Sequence, residues 1–215
     1  MIEKLKELIN IISYVVSERK GIRPKYSSYH VIKVLELLGL KQPIGRIKLA
    51  EEVGLSETSV RTMIRRLKDK NVVVVDPVAG AILSDKGLML WNTWSQAIRY
   101  CKDVNVSHLI GDKPIACIVI SKGENVINKI GLIKVRDTII RHGADGALIV
   151  LIDDKGAYIP SPTGEKYYDE QLTQNLKSTC SSGDVVLISW SKTYRDAEKS
   201  LIEALISLLE EYLFK

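Results

Sequence analysis

The feature that most restricts the fold is the basic stretch SETSVRTMIRRLKDK at residues 56–70, which is amphipathic at the spacing of an α-helix. Val60, Met63 and Leu67 recur three and four residues apart, so they share one side of such a helix. Ser56 is a favourable N-cap, and the lysines gather near the other end, where they suit the helix dipole. The pattern predicts a helix whose apolar side packs against another element.

The opposite side of this helix alternates hydroxyl and guanidinium groups, in Thr58, Arg61, Thr62 and Arg65. Arg66 and Lys68 flank this stripe. Such a mixture can contact both the phosphates and the base edges of nucleic acid. The alternative is an ordinary solvated surface, because many surface helices carry a charged stripe opposite an apolar one.

The surrounding sequence favours nucleic-acid contact. SSYHVIKVLELLG and RIKLAEEVG predict a helix and a short helix before the basic one, and NVVVVDPVAGAILSDKG predicts a β-hairpin after it. This is the order of a winged helix-turn-helix, in which the second helix of the pair enters the major groove of DNA. Residues 1–100 also hold 17 Lys and Arg against 10 Asp and Glu, whereas residues 101–215 hold 14 against 16. This asymmetry is typical of an anionic partner for the first half.

Residues 45–87, GRIKLAEEVGLSETSVRTMIRRLKDKNVVVVDPVAGAILSDKG, resemble the winged helix-turn-helix of bacterial and archaeal transcription regulators. The chain also resembles a family of archaeal proteins with an N-terminal winged helix and a C-terminal domain of unknown function. The stretches that carry this resemblance are YSSYHVIKVLELLG, PIGR, SVRTMIRRL and RDTIIRHGADGALIVL. This second resemblance spans residues 25–205 and implies a transcription regulator.

The resemblance also implies roles for single residues. Six side chains would face the DNA groove: Ser56, Thr58, Ser59, Arg61, Thr62 and Arg65. Arg46 and Lys48, at the start of the preceding helix, would lie near the phosphate backbone. One departure is the hairpin tip DPVAG, which has no Lys or Arg, although many winged helices direct a basic residue from that loop toward DNA.

The second half predicts a different kind of domain. Strands in PIACIVI, GALIVLID, GAYIP and DVVLISW alternate with helices in the order β, α, β, β, α, β, α. This is the order of a ferredoxin-like split βαβ fold with one added C-terminal helix, so the whole chain is predicted to be α+β. The last helix, from about Tyr194 to Tyr212, is apolar over a broad front. It either covers the sheet or forms a homodimer contact.

These patterns divide the chain into four parts. An amphipathic helix and linker occupy residues 1–24, the winged helix 25–84, a connecting helix and linker 85–111, and an α/β dimerisation or effector domain 112–215. The first helix docks either on its own fold or on a second copy of the chain. Arg136, Arg141 and Tyr158 are candidates for binding a small anionic effector, because guanidinium groups pair well with anions.

Signatures of other functions are missing from the sequence. We find no P-loop, dinucleotide fingerprint or nucleophile elbow, so we predict no catalytic residue, no cofactor and no enzyme activity. Cys101, Cys117 and Cys180 lack metal-ligand spacing, which predicts no metal site and three reduced, packed thiols. No apolar run is long enough to cross a bilayer, which favours a cytoplasmic protein without a membrane partner.

Together the patterns predict a DNA-binding transcription regulator that binds double-stranded DNA, as a homodimer. One alternative is a metabolite-binding protein or enzyme whose winged helix mediates protein contacts. Another is an architectural protein that binds nucleic acid without sequence preference.

Overall fold

The structure is a computed structural model that describes residues 2–19, 21–101, 104–161 and 163–214. The chain divides into two compact units, and the division falls between Ser95 and Gln96. Each unit has its own core of buried apolar side chains.

The first unit consists of helices followed by a hairpin. Its elements are α1 (Ile2–Val16), α2 (Ser28–Lys41), α3 (Arg46–Val53), α4 (Glu57–Asp69), β1 (Val73–Asp76), β2 (Gly80–Leu83) and α5 (Asp85–Ala97). The helix α4 is the basic helix predicted from the sequence, and the order of α2 to β2 is the predicted one. The buried residues Leu8, Ile12 and Val15 pack α1 against α2 and α4, so the first helix docks on its own fold.

The hairpin is fixed to the loop between α2 and α3. β1 and β2 pair antiparallel, with Val73 opposite Leu83 and Asp76 opposite Gly80. The amide of Ile44 donates to the carbonyl of Ala81 at 3.0 Å, and the amide of Ala81 donates back at 2.9 Å. Gly80 has φ +110°, and a Cβ there would lie 2.5 Å from the carbonyl oxygen of Ile44. Only glycine therefore allows the hairpin to approach this loop so closely.

The second unit is built on one antiparallel sheet. Its strands are β3 (Ile98–Tyr100), β4 (Ile115–Ile120), β5 (Gly146–Asp153), β6 (Gly156–Pro160), β7 (Lys166–Tyr168) and β8 (Val185–Trp190). Its helices are α6 (Ser107–Ile110), α7 (Glu124–Ile130), α8 (Leu132–Arg141), α9 (Glu170–Leu176) and α10 (Tyr194–Phe214). The strands lie in the order β3-β4-β8-β5-β6-β7, and every neighbouring pair is antiparallel.

Helices cover both faces of this sheet. Ser189 of β8 donates from Oγ to the carbonyl of Ala197 in α10 at 2.8 Å, so this side chain points toward α10. The next residue back, Ile188, joins an apolar cluster with Leu172 and Leu176 of α9. Because successive side chains of a strand point to opposite faces, α9 and α10 lie on opposite sides of the sheet.

The predicted α+β class, with helices in the first unit and an α/β second unit, is confirmed. The structure adds two details of strand pairing to the predicted ferredoxin-like order. The hairpin β5–β6 pairs through β5 with β8, and the short strands β3 and β7 extend the sheet at its two ends. The segment INKIGLIKVRDTIIRHG, which stands for one helix in the predicted order, is divided into α7 and α8 at Gly131, whose φ of +96° interrupts a right-handed helix.

Candidate nucleic-acid interface

The helix α4 separates an apolar side from a polar one. The hydroxyl of Ser56 accepts a hydrogen bond from the amide of Ser59 at 3.3 Å, which is the expected N-cap. Val60, Met63 and Leu67 are fully buried. On the other side Thr58, Arg61, Arg65 and Lys68 are exposed, while Ser59 and Thr62 are half-buried. The predicted stripe of hydroxyl and guanidinium groups is therefore open to solvent.

Glu57 brings two of the predicted cations together at the start of α4. Its Oε1 lies 3.3 Å from Nη2 of Arg61 and 3.9 Å from Nη1 of Arg46. Exposed ion pairs of this kind contribute little to stability. They leave both guanidinium groups available to exchange one carboxylate for a phosphate, which binds guanidinium in a similar geometry.

Lys48 is engaged differently from these two arginines. Its Nζ lies 3.4 Å from Glu51 and 3.5 Å from Glu52, both on its own helix α3. The hydrogen bond that Lys48 donates to Glu51, followed by the charge of Glu52, raises the pKa of Lys48 above its usual value. The predicted phosphate contact from Lys48 thus has to compete with two neighbouring carboxylates.

Arg66 is a correction to the predicted site, because its side chain is only 5% exposed and does not face solvent. It follows Met63 by three residues and Val60 by six, which places it beside the buried side of the helix. Its Nη1 donates to the carbonyl of Val15 at 2.6 Å and to that of Ser17 at 2.7 Å. The last turn of α1 contains no basic residue, so Arg66 supplies a cation to the negative end of that helix.

One groove lies between α4 and the hairpin. This hairpin groove has a volume of about 520 Å³, and its basic lining residues are Arg46, Arg61, Arg65 and Lys68. The hairpin side contributes Asp76 and Val78 instead of cations. Oδ1 of Asp76 accepts hydrogen bonds from the amides of Ala79 and Val78, which lower the pKa of this carboxyl group. Val78 is 97% exposed at the hairpin tip.

A second groove lies between α4 and the segment that joins α1 to α2. This basic-turn groove has a volume of about 990 Å³. The segment contributes Arg19, Arg23 and Lys25 to its lining, and α4 contributes Arg65 with the hydroxyls of Ser56, Thr58, Ser59 and Thr62. Arg65 lines both grooves and so lies at the centre of the exposed side of α4.

Arg19, Arg23 and Lys25 are functional candidates that the sequence pattern did not identify. They are visible in the sequence as RKGIRPK at residues 19–25, where Gly21 and Pro24 mark the end of a helix. Composition alone does not indicate which surface such a loop faces. The folded chain places it beside α4.

The effector residues predicted in the second unit do not form one site. Arg136 is exposed, lies 3.1 Å from Asp137 and lines an otherwise apolar groove of about 230 Å³. Arg141 is exposed at the end of α8 and is absent from the described lining of that groove. Tyr158 is only 4% exposed, with Lys166 Nζ 4.3 Å from its ring centre. Tyr158 therefore packs within the sheet and is a second correction.

The three cysteines pack against the apolar cluster beneath α9. A hydrogen bond from the Cys117 thiol to Cys101, together with burial, raises the pKa of Cys117 well above its usual value. Burial is also the main cause that raises the pKa of Cys180 to about 12. Both thiols are therefore protonated at neutral pH. Within the described residues, no group of three or more His, Cys, Asp and Glu is placed to hold a metal ion.

Two family models match separate ranges of the chain. Residues 28–98 match the family model of the CggR N-terminal DNA binding domain, and this range contains α4 and both strands of the hairpin. Residues 110–208 match the model of a domain of unknown function, DUF4443. The first match supports a DNA-binding regulator.

A solved structure of a hypothetical protein from Pyrococcus horikoshii OT3 has a similar fold. The TM-score is 0.63 at 26% sequence identity, and the alignment covers 87% of this chain and 94% of that chain. No curated protein matches. Across the helices of the described residues, none combines the length and the apolar character needed to span a bilayer.

Proposed function

We propose that this chain is a transcription regulator that binds double-stranded DNA through a winged helix-turn-helix, with α4 as the recognition helix. The observation that carries the proposal is the exposed side of α4, where Arg61, Arg65 and Lys68 stand on the same side as the hydroxyl groups of the helix. Guanidinium groups bind both phosphates and the acceptor edge of guanine, and hydroxyl groups contact either. The match of residues 28–98 to a DNA-binding domain supports the same function.

The apolar side of α4 fixes how the helix is presented. Val60, Met63 and Leu67 hold it against the core, so its polar side is the only part of α4 that can enter a groove. The major groove of B-DNA is about 12 Å wide and admits one α-helix with its side chains. Arg65 lies at the centre of the inserted surface, with Arg61 and Thr58 beside it.

We further propose that the protein acts as a homodimer through its second unit. Ile133 and Ile140 are exposed on α8 and stand seven residues apart, so they lie on the same side of the helix, with the ion pair of Arg136 and Asp137 between them. Two chains related by a two-fold axis would recognise two half-sites about one helical turn of DNA apart. Light scattering tests this: we expect twice the mass of one chain, and the mass of a single chain would refute the dimer.

Selection of bound duplexes from a pool of random sequence tests the function itself. A sequence-specific regulator enriches one motif with two-fold symmetry over successive rounds. An architectural protein retains DNA without enriching any motif, and a protein whose first unit binds other proteins retains none. Either of these two results would overturn the proposed regulator.

A further inference from the structure

The segment between α1 and α2 forms a tight turn that carries several cations. The amide of Arg19 donates to the carbonyl of Ile22 at 3.2 Å, and the amide of Ile22 donates back to the carbonyl of Arg19 at 3.0 Å. Gly21 has φ +75°, a conformation that favours glycine. Ile22 is 71% exposed beside the turn. We call residues 19 and 21–25 the basic turn.

Buried contacts hold both ends of the basic turn against the core of the first unit. Before it, the carbonyls of Val15 and Ser17 accept hydrogen bonds from Arg66 of α4. After it, the hydroxyl of Tyr26 donates to the same carbonyl of Val15 at 3.1 Å. The guanidinium carbon of Arg19 lies 4.5 Å from the ring centre of Tyr14. The position of the turn relative to α4 is therefore fixed by α4 itself.

The cations of the basic turn differ from those near the start of α4 in their partners. Arg46 and Arg61 share the carboxylate of Glu57, and Lys48 is paired with Glu51 and Glu52. Among the residues that the structure describes, Arg23 and Lys25 form no ion pair with a carboxylate, and both are exposed. The groove they share with α4 includes one acidic residue, Asp69. This surface therefore suits an anion supplied from outside the chain.

The hairpin on the other flank of α4 cannot supply the same contact. Residues 71–85 contain no Lys or Arg, and the hairpin tip presents the exposed side chain of Val78 and the carboxylate of Asp76. Contacts to DNA phosphates beside the recognition helix come mainly from Lys and Arg side chains, so a flank without them contributes little to such contacts. In this chain the hairpin itself supplies no cation, whereas the basic turn supplies Arg23 and Lys25.

We propose that the basic turn is a second wing, in which Arg23 and Lys25 bind phosphates of the DNA backbone next to the groove that α4 enters. This inference rests on the proposed function and adds a partner surface to it. Contacts of this kind fix position and affinity without reading sequence, and each one releases counterions from the DNA. The basic turn thus strengthens binding to every duplex, while the exposed side of α4 decides which duplex is preferred.

The test compares Arg23→Gln/Lys25→Gln with wild type and with a control that loses the same charge elsewhere, Lys129→Gln/Lys155→Gln. Lys129 and Lys155 are exposed in the second unit. Fluorescence anisotropy at several salt concentrations gives the affinity for a selected duplex and for a scrambled one. We expect the basic-turn variant to bind both duplexes more weakly, on the order of tenfold or more at low salt. The slope of log affinity against log salt should fall in magnitude by about 2, with the preference between duplexes unchanged.

Phosphate ethylation interference adds a positional readout. In wild type, ethylation of phosphates beside the base pairs that α4 covers should block binding, and in the basic-turn variant this interference should disappear. Equal affinity, slope and interference pattern in the basic-turn variant and the control would overturn the second wing. If wild type binds no duplex at all, the proposed function fails with it, so the two failures are distinguishable.

Discussion

Nη1 of Arg66 lies 2.6 Å from the carbonyl oxygen of Val15, so a buried arginine of α4 closes the C-terminal end of α1. The same nitrogen reaches the carbonyl of Ser17 at 2.7 Å. Carbonyl groups at the end of a helix have no partner within the helix, and a cation there also favours the dipole. This arrangement connects α4 to the end of α1 and to the start of the basic turn.

Replacing Arg66 with methionine should destabilise the protein. The substitution keeps an apolar chain of similar length but removes the charged donor from the carbonyls of Val15 and Ser17, of which Val15 keeps the hydroxyl of Tyr26. Hydrogen bonds of charged groups are worth about 1.5–3 kcal/mol. We expect the free energy of unfolding to fall by about 2–3 kcal/mol in urea titrations followed by circular dichroism. Arg65→Met is the matched control, because Arg65 is exposed and should change stability by less than about 0.5 kcal/mol. Equal stability of the two variants would contradict the role of Arg66.

Replacing Gly87 with alanine should also be destabilising. A Cβ at this position would lie 2.0 Å from the carbonyl oxygen of Val72, which is backbone and cannot move without shifting the start of β1. Overpacking of this kind costs about 1–3 kcal/mol, measured as a lower midpoint of thermal unfolding. Gly45→Ser provides the comparison, because nothing lies within 4 Å of a Cβ there and serine is a good N-cap for α3. A Gly87→Ala protein as stable as Gly45→Ser would show that the contact is not tight.

We expect the free energy of unfolding to depend on pH in the acidic range because of Asp153. The hydrogen bond from Lys166, at 2.8 Å, is the main cause that lowers the pKa of Asp153 to about 2. A carboxyl group with a lowered pKa stabilises the fold above its unfolded pKa of about 4, and this contribution disappears as the pH falls toward 2. Asp153→Asn should therefore be less stable than wild type at pH 7 and should approach it near pH 2. If the difference stays constant over this range, the ion pair does not cause it; Asp154→Asn serves as a neighbouring control.

The cysteines should react slowly with thiol reagents in the folded protein. Thiolates are the reactive form, and the raised pKa values of Cys117 and Cys180 keep both groups protonated at pH 8. With Ellman's reagent we expect these two thiols to react only as fast as the protein opens, and all three cysteines of the sequence to react at once in denaturant. Rapid reaction of three thiols without denaturant would contradict the packing described for the apolar cluster beneath α9.

Local patterns in the sequence account for much of the first unit. The apolar spacing of α4, the Ser56 cap and the turn between β1 and β2 each depend on residues within a few positions of one another, so the sequence indicates them directly. The inward direction of Arg66 depends on carbonyl groups about fifty residues earlier, and no local pattern reports it. The burial of Tyr158 likewise depends on distant residues, because it results from the pairing of β6 with β5 and β7.

In the second unit, too, local patterns predict the elements but not how they pair. The order of its elements follows from strand and helix patterns, whereas the insertion of β8 between β4 and β5 is a pairing of distant segments. The strands β3 and β7 have three residues each, too few for an alternating pattern to be recognised. The position of the basic turn beside α4 likewise exists only in the folded chain, although its charges are plain in the sequence.

The central claim is that the exposed side of α4 selects the DNA sequence, and a fluorescence anisotropy titration of Arg61→Ala/Arg65→Ala tests it most directly. The titration uses a selected duplex and a scrambled one at fixed salt, with Lys129→Gln/Lys155→Gln as the control of equal charge. We predict that wild type and the control prefer the selected duplex, whereas the α4 variant keeps its circular dichroism spectrum but binds both duplexes weakly and equally. An α4 variant that retains the wild-type preference and affinity would contradict the account.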